Sequence, residues 1–277
     1  MKTTIYEKMI RFCIFIVLLL IALVVVYPLF YMFTSSIKTS LEFSQNPLAL
    51  PETLYLDNFK ALYFRFSLVK LFSNTLIAVG GALILSFALS VPASFAFAKI
   101  RFKYRSTLYM AMIATMTIPG ITFIIPNYLL MSKLGLIDNF LSVIIIWGVG
   151  SVANNVFLLT SLMRGLPNEV LEAVKMDGGS YLQVMTKIVV PLSIPGLMTV
   201  SIFNTTGWWN DLLTPLVYLQ SDQMKTMTVA VATILRTYSS DYPLLLAGLF
   251  MTSVPPIVIY IILQGYIRKG LVIGAVK

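Results

Sequence analysis

Histidine is absent from this sequence, cysteine occurs once, and charged residues are scarce. The missing histidine and the single Cys13 exclude a His/Cys metal site, a catalytic histidine and an internal disulfide. Only 11% of the 277 residues are charged, against about 25% in a typical soluble domain. The sequence also lacks the G-x-x-x-x-G-K-[ST] loop that usually cradles a nucleotide. We therefore expect no enzyme, no bound metal and no cofactor in this chain.

Apolar residues make up 58% of the chain and fall in long runs. A helix that crosses the hydrocarbon core of a bilayer needs about 20 mostly apolar residues. That rule predicts six spans, at 12–33, 69–98, 107–131, 140–162, 188–217 and 244–266. The first run superficially resembles a signal peptide, but it is long enough to span and no small-residue cleavage pattern follows it. The sequence thus predicts an all-α polytopic membrane protein, with residues 1–277 as a single transmembrane domain of six helices.

Basic residues predict how these spans are oriented. Six spans place both termini on one side, and most of the twenty Lys and Arg residues fall on that side. They are Lys2, Lys8, Arg11, Lys99, Arg101, Lys103, Arg105, Arg164, Lys175, Lys187, Arg268, Lys269 and Lys277. Because cytoplasmic loops are enriched in Lys and Arg, both termini are predicted to be cytoplasmic. We interpret the basic turn 99–105 as a topology and lipid-headgroup anchor, and the net charge of +9 as a consequence of topology rather than of nucleic-acid binding.

The most polar long stretch is "LPNEVLEAVKMDGGSYLQVMTKIVVPL", residues 166–192, between two apolar runs. Val170, Leu171 and Val174 recur at helical spacing, so they share one face of a short helix that starts near Asn168. The segment 177–180, Asp-Gly-Gly-Ser, ends this helix and caps a second one. Two short helices bent at a glycine are therefore predicted here.

The apolar face of these helices needs a surface to lie on, and two surfaces are open. An amphipathic helix can lie flat in the membrane interface, usually with a strongly basic polar face. Alternatively, it can dock in a hydrophobic groove on a partner protein. The first helix carries more acidic than basic residues, which favours the partner.

This loop resembles the EAA loop of the membrane subunits of ABC importers. The family pattern is Glu-Ala-Ala, three residues, Gly, nine residues, Ile, one residue, Leu-Pro, and every spacing is kept. Val174 stands for the second Ala and Val190 for the Leu. The resemblance implies a cytoplasmic coupling helix that docks on an ATPase, and it assigns to that contact Glu172, Ala173, Val174, Asp177, Gly178, Ile188 and Pro191.

The resemblance covers nearly the whole chain. Four further segments are similar to those of carbohydrate-importer permeases: "PASFAFAKIRFKYR", "LGLIDN", "WWNDLLTPLVYL" and "RKGLVIGAVK". These permeases are binding-protein-dependent transport inner-membrane components, and they include the smaller membrane subunit of the maltose importer. The resemblance implies a type I ABC importer permease fold and a heterodimer with a second homologous permease. It further implies two cytoplasmic ABC ATPase subunits, which bind ATP and Mg²⁺, and an extracytoplasmic solute-binding protein that delivers a carbohydrate solute.

The composition of the C-terminal segment predicts a solvated tail. Its resemblance to the family tail implies instead a contact with the ATPase dimer. The residues assigned to that contact are Arg268, Lys269, Gly270, Gly274 and Lys277.

The fifth span contains the densest polar and aromatic cluster of any span. We predict that it lines a translocation path, where aromatic faces stack on sugar rings and amides bond hydroxyls. The residues are Asn204, Trp208, Trp209, Asn210 and Asp211. The alternative is that the Trp residues belong to an interfacial belt and that Asp211 is solvated or paired structurally. In the fourth span, packing between helices is favoured for Asn154 and Asn155 over a place in a cavity wall.

The sequence thus favours a permease subunit of an ATP-driven ABC importer in a bacterial-type cytoplasmic membrane, forming half of the path for a sugar or oligosaccharide. The alternative is a secondary transporter driven by an ion gradient. Such transporters commonly carry ionisable residues at mid-depth in the membrane, whereas this chain offers essentially Asp211 alone, near the end of a span.

Overall fold

The computed structural model describes residues 5–176, 178–237 and 241–275, which form helices joined by short loops. In chain order the α-helices are α1 (Ile5–Ser36), α2 (Ser40–Gln45), α3 (Asp57–Arg65), α4 (Leu68–Lys99), α5 (Arg105–Ala114), α6 (Ile124–Lys133), α7 (Phe140–Gly150), α8 (Val152–Arg164), α9 (Asn168–Met176), α10 (Tyr181–Val184), α11 (Val190–Leu192), α12 (Ile194–Asn210), α13 (Leu213–Tyr218), α14 (Met227–Thr237) and α15 (Tyr242–Ala275).

The described part of the chain has six candidate spans when each bent helix pair is taken as one span. Three are single helices that are long and apolar enough to cross a bilayer: Tyr6–Ser36, Leu68–Lys99 and Tyr242–Tyr266. Three are bent pairs: Arg105–Thr117 with Gly120–Lys133, Phe140–Gly150 with Val152–Arg164, and Tyr181–Leu192 with Ile194–Asn210. The predicted all-α membrane architecture is confirmed, and each predicted span falls on one of these helices or pairs.

The structure differs from the predicted spans at the bends, which have local causes. Ile118 is extended because it precedes Pro119, and the third span turns there by 90°. The fifth span turns by 73° at Ser193, just before α12, which carries a proline in its first turn. This span also ends at Asn210 rather than at 217, because Asp211 is extended and terminates α12.

The chain divides into two compact units, of which the first comprises residues 1–68 and 231–254. Its apolar core is formed by Leu62, Leu244 and Ala247. The end of α1 is held by Asn58, whose side-chain amide donates to the carbonyl oxygens of Ser36 at 2.8 Å and Lys38 at 2.9 Å. Within α1 itself the apolar window has no buried side chain, as expected for a helix surrounded by lipid.

The second unit comprises residues 69–230 and 255–277. It contains two apolar clusters. One is centred on Trp147, Trp208 and Trp209, and the other on Phe95, Leu159 and Met163. The first cluster includes residues from the polar end of α12, and the second includes residues of the loop 166–192, the two regions in which the sequence predicts functional sites.

The loop between α6 and α7, which contains the "LGLIDN" segment, is fixed to the residues after α13. Asp138 lies in the left-handed region at φ 58°, its N–H donates to the Tyr218 carbonyl at 2.8 Å, and its carboxylate accepts from the Ser221 N–H at 2.9 Å. The Ser221 N–H bond lowers the pKa of Asp138 from its usual range. Two segments that carry the family resemblance are thus joined in space.

Close helix packing in the second unit predicts a difference between two glycines of α7. A Cβ on Gly148 would lie 3.1 Å from the Ala82 carbonyl oxygen, whereas a Cβ on Gly150 would meet no atom within 4 Å. Since helix backbone cannot easily move aside, we expect Gly148→Ala to destabilise the protein by about 1–3 kcal/mol. Gly150→Ala is the matched control and should leave the thermal unfolding midpoint in detergent almost unchanged. Equal midpoints for both variants would contradict the packing described here.

Candidate functional site

The loop 166–192 folds as two helices joined at a glycine, as predicted. Helix α9 begins at Asn168, and after the turn the second helix begins at Tyr181. Ser180 caps it with a reciprocal capping box, since the Gln183 N–H donates to Ser180 Oγ at 3.3 Å and the Ser180 N–H donates to Gln183 Oε1 at 2.8 Å. The segment continues through a π-helical turn, Met185–Val189, into α11, which contains Pro191.

The bend between the two helices requires both glycines. Gly178 has φ +77°, a conformation that costs other residues free energy, with open space around its Cα. Gly179 donates its N–H to the Val174 carbonyl at 2.8 Å, and a Cβ there would lie 2.5 Å from Val174 Cγ1. The sequence analysis placed both glycines in this turn but assigned a functional role to Gly178 alone. Asp177, also assigned to this turn, lies outside the described residues.

The apolar face of this loop packs on helices of the same chain, a surface that was not among the two predicted from the sequence. Leu171 and Val184 are buried, while Val174, Met185 and Ile188 are partly buried. They pack into the cluster around Phe95, Leu159 and Met163. The side chain of Ala173 lies outside the described part of the chain. The loop is therefore attached to the helices beneath it.

The exposed surface of the loop combines charged residues, namely Glu169, Glu172 and Lys187, with apolar side chains. Glu172 and Gly178 are exposed, and so are Met176 at 88% and Leu182 at 65%. Exposed apolar side chains at this density are a feature of interaction sites. Met176 and Leu182 were not assigned to this surface from the sequence, because periodicity alone does not separate the inward face of a helix from the outward one.

Lys99 fastens the start of the loop to the end of α4. Its ammonium group donates to the Leu166 carbonyl at 2.6 Å and to Asn168 Oδ1 at 2.9 Å, with a longer contact to the Arg164 carbonyl at 3.5 Å. A cation beside the last carbonyls of a helix is favourable, since those oxygens lack partners within the helix. The basic turn 99–105, predicted as a lipid anchor, thus also holds the loop in place.

Four of the five C-terminal residues assigned to an ATPase contact belong to α15, which continues to Ala275. The backbone of Arg268, Lys269, Gly270 and Gly274 is helical. Their side chains, and the whole of Lys277, lie outside the described part of the chain.

Two of the predicted path residues, Asn204 and Trp208, line a groove of about 280 Å³ between the α7–α8 bend and α12. The remaining lining residues are Ile146, Trp147, Gly150, Ser151, Asn154, Phe203 and Gly207. The indole rings of Trp147 and Trp208 stack with centroids 6.0 Å apart and an interplanar angle of 8°. The groove therefore combines aromatic surface with two side-chain amides.

A buried polar cluster lies beside this groove. The Asn155 amide donates to Ser86 Oγ at 2.5 Å, and the Asn204 amide donates to Asn155 Oδ1 at 3.2 Å. Ser86 and Ser151 share a further hydrogen bond of 2.9 Å. The two neighbouring asparagines of α8 thus differ, since Asn155 packs between helices while Asn154 is exposed in the groove.

The other three predicted path residues are not among those that line the groove. Trp209 is 1% exposed and meets the Phe72 ring edge-on with centroids 5.6 Å apart. Asn210 is exposed, and its amide donates to the Thr206 carbonyl at 2.9 Å. Asp211 accepts hydrogen bonds from Trp147 Nε1 at 2.8 Å, from Thr214 Oγ1 at 2.6 Å and from two backbone N–H groups at the start of α13. The structure therefore gives Asp211 the paired, structural surroundings that were the alternative to a place in the path.

Comparison with known proteins identifies the family. Residues 88–272 match the family described as binding-protein-dependent transport system inner membrane component. The chain belongs to this family. It is 33% identical to the arabinooligosaccharides transport system permease protein of Halalkalibacterium halodurans, with 93% of each chain covered. It is 30% identical to the diacetylchitobiose uptake system permease protein of Streptomyces coelicolor, over 89% of this chain and 82% of that one.

A solved structure gives the same fold. The structure of a bacterial ABC transporter involved in the import of the acidic polysaccharide alginate superposes with a TM-score of 0.80 at 23% identity, covering 96% of this chain and 99% of that one. The protein is thus a membrane permease of the ABC importer type, and the expected family resemblance is confirmed. Because the chain belongs to this family, the alternative hypothesis of a gradient-driven secondary transporter is rejected.

The contacts of Asp211 in this permease predict a structural effect of its replacement. We expect Asp211→Ala to lower the thermal unfolding midpoint in detergent, because the buried Trp147 N–H loses its acceptor at a cost of about 1–3 kcal/mol. Asn210→Ala is the control, since it removes an exposed amide from the adjacent position. An Asp211→Ala protein with the stability of the wild type and defective transport would instead place Asp211 in the path.

Proposed function

We propose that this permease forms half of the translocation path of an ATP-driven importer for an oligosaccharide, and that energy reaches it through the loop 166–192. The observation that carries this proposal is the construction of the loop. Its inner face is packed on the spans and clamped by Lys99, and its outer face is exposed. A helix held in this way can transmit movement of a partner to the spans as a rigid body.

The partner in this proposal is a pair of cytoplasmic ATPase subunits, which bind ATP and Mg²⁺. The exposed Glu172, Met176 and Leu182 supply a carboxylate and two apolar side chains to the contact. Docking an amphipathic helix in a groove uses such anchors. Both termini are cytoplasmic in this arrangement, and the end of α15, from Arg268 to Gly274, is a second contact with the ATPases.

The remaining partners are a second, homologous permease and an extracytoplasmic binding protein. The family description itself specifies transport that depends on a binding protein. A carbohydrate solute is supported by the relatives, which are described for arabinooligosaccharides and for diacetylchitobiose. The groove between α8 and α12 fits that class of solute, since Asn154 and Asn204 offer amides for hydroxyl groups beside the indole of Trp208.

The coupling role predicts a specific defect at the bend of the loop. Gly178→Val places a β-branched residue at φ +77°, so the loop should change shape while the spans still insert. We expect ATP hydrolysis to continue in proteoliposomes that contain all subunits, while uptake falls by about tenfold or more, as a loss of 1.4 kcal/mol in coupling would give.

Gly178→Asn provides the matched control, because asparagine tolerates a left-handed conformation better than other non-glycine residues. This variant should retain most of the coupled uptake. Wild-type uptake in Gly178→Val would remove the loop from the coupling mechanism. Failure of an ATPase to co-purify with the wild-type permease would overturn the proposed function itself.

The groove predicts which amides contact the solute. We expect Asn154→Ala to raise the KM for uptake by about twofold to tenfold, because it removes one hydrogen bond to a hydroxyl group. Asn204→Ala should raise the KM as well, although its amide N–H also donates to Asn155 within the protein. Asn210→Ala removes an amide of the same type from outside the groove. If Asn210→Ala impairs uptake more than the groove variants do, the path follows the end of α12 and not the groove. Subunit co-purification should be the same for all three variants.

A further inference from the structure

A second cavity, of about 560 Å³, lies between the basic turn 99–105 and the loop 166–192. Its lining residues are Phe95, Ala98, Lys99, Arg101, Arg105, Asn168, Leu171, Glu172, Tyr181 and Val184. Three of them are cations and one is an anion, so the cavity carries an excess of positive charge. Part of its wall is apolar and continues into the buried cluster around Phe95.

Among the residues that the structure describes, none of the three cations forms an ion pair with a carboxylate within 4 Å, although Glu172 lines the same cavity. In the described part of the chain, the ion pairs shorter than 4 Å are Lys60–Asp57 and Lys225–Asp222, both elsewhere. Lys99 directs its ammonium group to carbonyl and amide oxygens of the loop. Arg105 donates one N–H to the Ile100 carbonyl at 3.3 Å, which leaves the rest of its guanidinium group for another acceptor. Arg101 is exposed at the rim.

We propose that this cavity binds the phosphate group of an anionic phospholipid. Guanidinium groups bind phosphate through paired, charge-assisted hydrogen bonds, and basic pockets at the cytoplasmic ends of spans accept lipid headgroups. The cavity lies where α4 ends and α5 begins, at the level where headgroups occur if Lys99 marks the end of the span.

An apolar surface for the acyl chains adjoins the same site. Leu108 follows Arg105 by three residues and so lies on the same side of α5, and it is exposed. A phosphate in the cavity would therefore have its chains directed along α5. This continuity favours a lipid over inorganic phosphate as the source of the anion. A bound lipid would also brace the loop against α4, a consequence that rests on the proposed function.

The test measures lipid retention by the full-length chain, purified in detergent together with the subunits that accompany it. The probe is phosphatidylglycerol, with phosphatidylcholine as the neutral lipid, and native mass spectrometry counts the lipids that remain bound. We expect Arg101→Gln and Arg105→Gln each to weaken phosphatidylglycerol retention by about tenfold, because each variant loses one charge-assisted hydrogen bond to the phosphate. Phosphatidylcholine retention should be equally low in all proteins.

Lys103→Gln is the matched control. It removes the same charge from the same turn, but the Lys103 ammonium lies 4.9 Å from the Tyr104 ring centroid and outside the cavity lining. Equal losses for Lys103→Gln and Arg101→Gln would overturn the site in favour of general surface charge, and unchanged retention in Arg101→Gln would overturn it outright. If millimolar inorganic phosphate displaces phosphatidylglycerol, the proposal that the ligand is a lipid is wrong, and the cavity binds a soluble anion.

Retention does not require transport, so this result is independent of the proposed function. If phosphatidylglycerol binds as expected while no ATPase co-purifies, the lipid site stands and the coupling proposal fails. Arg101 is exposed and bonded to no buried group, so its variant should fold even if Arg105→Gln does not.

Discussion

The hydrocarbon core of the membrane imposes the constraint on which this structure depends: each backbone N–H and C=O there must find a partner within the protein. Long helices such as α4 pair most of these groups internally, except at a proline such as Pro92, which has no N–H to donate. The bends at Ile118, Ser151 and Ser193 interrupt the helical pattern, and so require further partners. At Ser151 the interruption is compensated, since its hydroxyl donates to the Gly148 carbonyl at 3.0 Å and its N–H bonds to the Trp147 carbonyl at 3.1 Å.

Unpaired backbone groups at a helix end also explain how the loop 166–192 is attached outside the hydrocarbon core. The carbonyl groups after α8 no longer have partners within a helix, and the Lys99 ammonium supplies hydrogen bonds to them. The apolar face of the loop then removes its side chains from water by packing on the helices beneath it. Hydrogen bonds and apolar burial act at different points of the loop, and together they fix both its position and its orientation.

Local features of the sequence predicted the local features of the structure. The long apolar runs predicted the spans, Gly178 predicted the bend, and Ser180 predicted the cap of the following helix. Contacts between residues far apart in the chain could not be predicted from the sequence. The bond from Trp147 to Asp211 joins positions 64 residues apart, and it decides that Asp211 is paired rather than solvated.

The groove illustrates the same limit and its consequence for function. Asn154 and Asn155 are adjacent and chemically identical, so no pattern in the sequence assigns them different roles. Their positions on α8 do, because a rotation of about 100° between successive helical residues turns one toward Ser86 and the other outward. The buried amide satisfies its hydrogen bonds within the protein. The exposed amide keeps its capacity for a solute, and the polar cluster behind it holds α4, α8 and α12 in the arrangement that forms the groove.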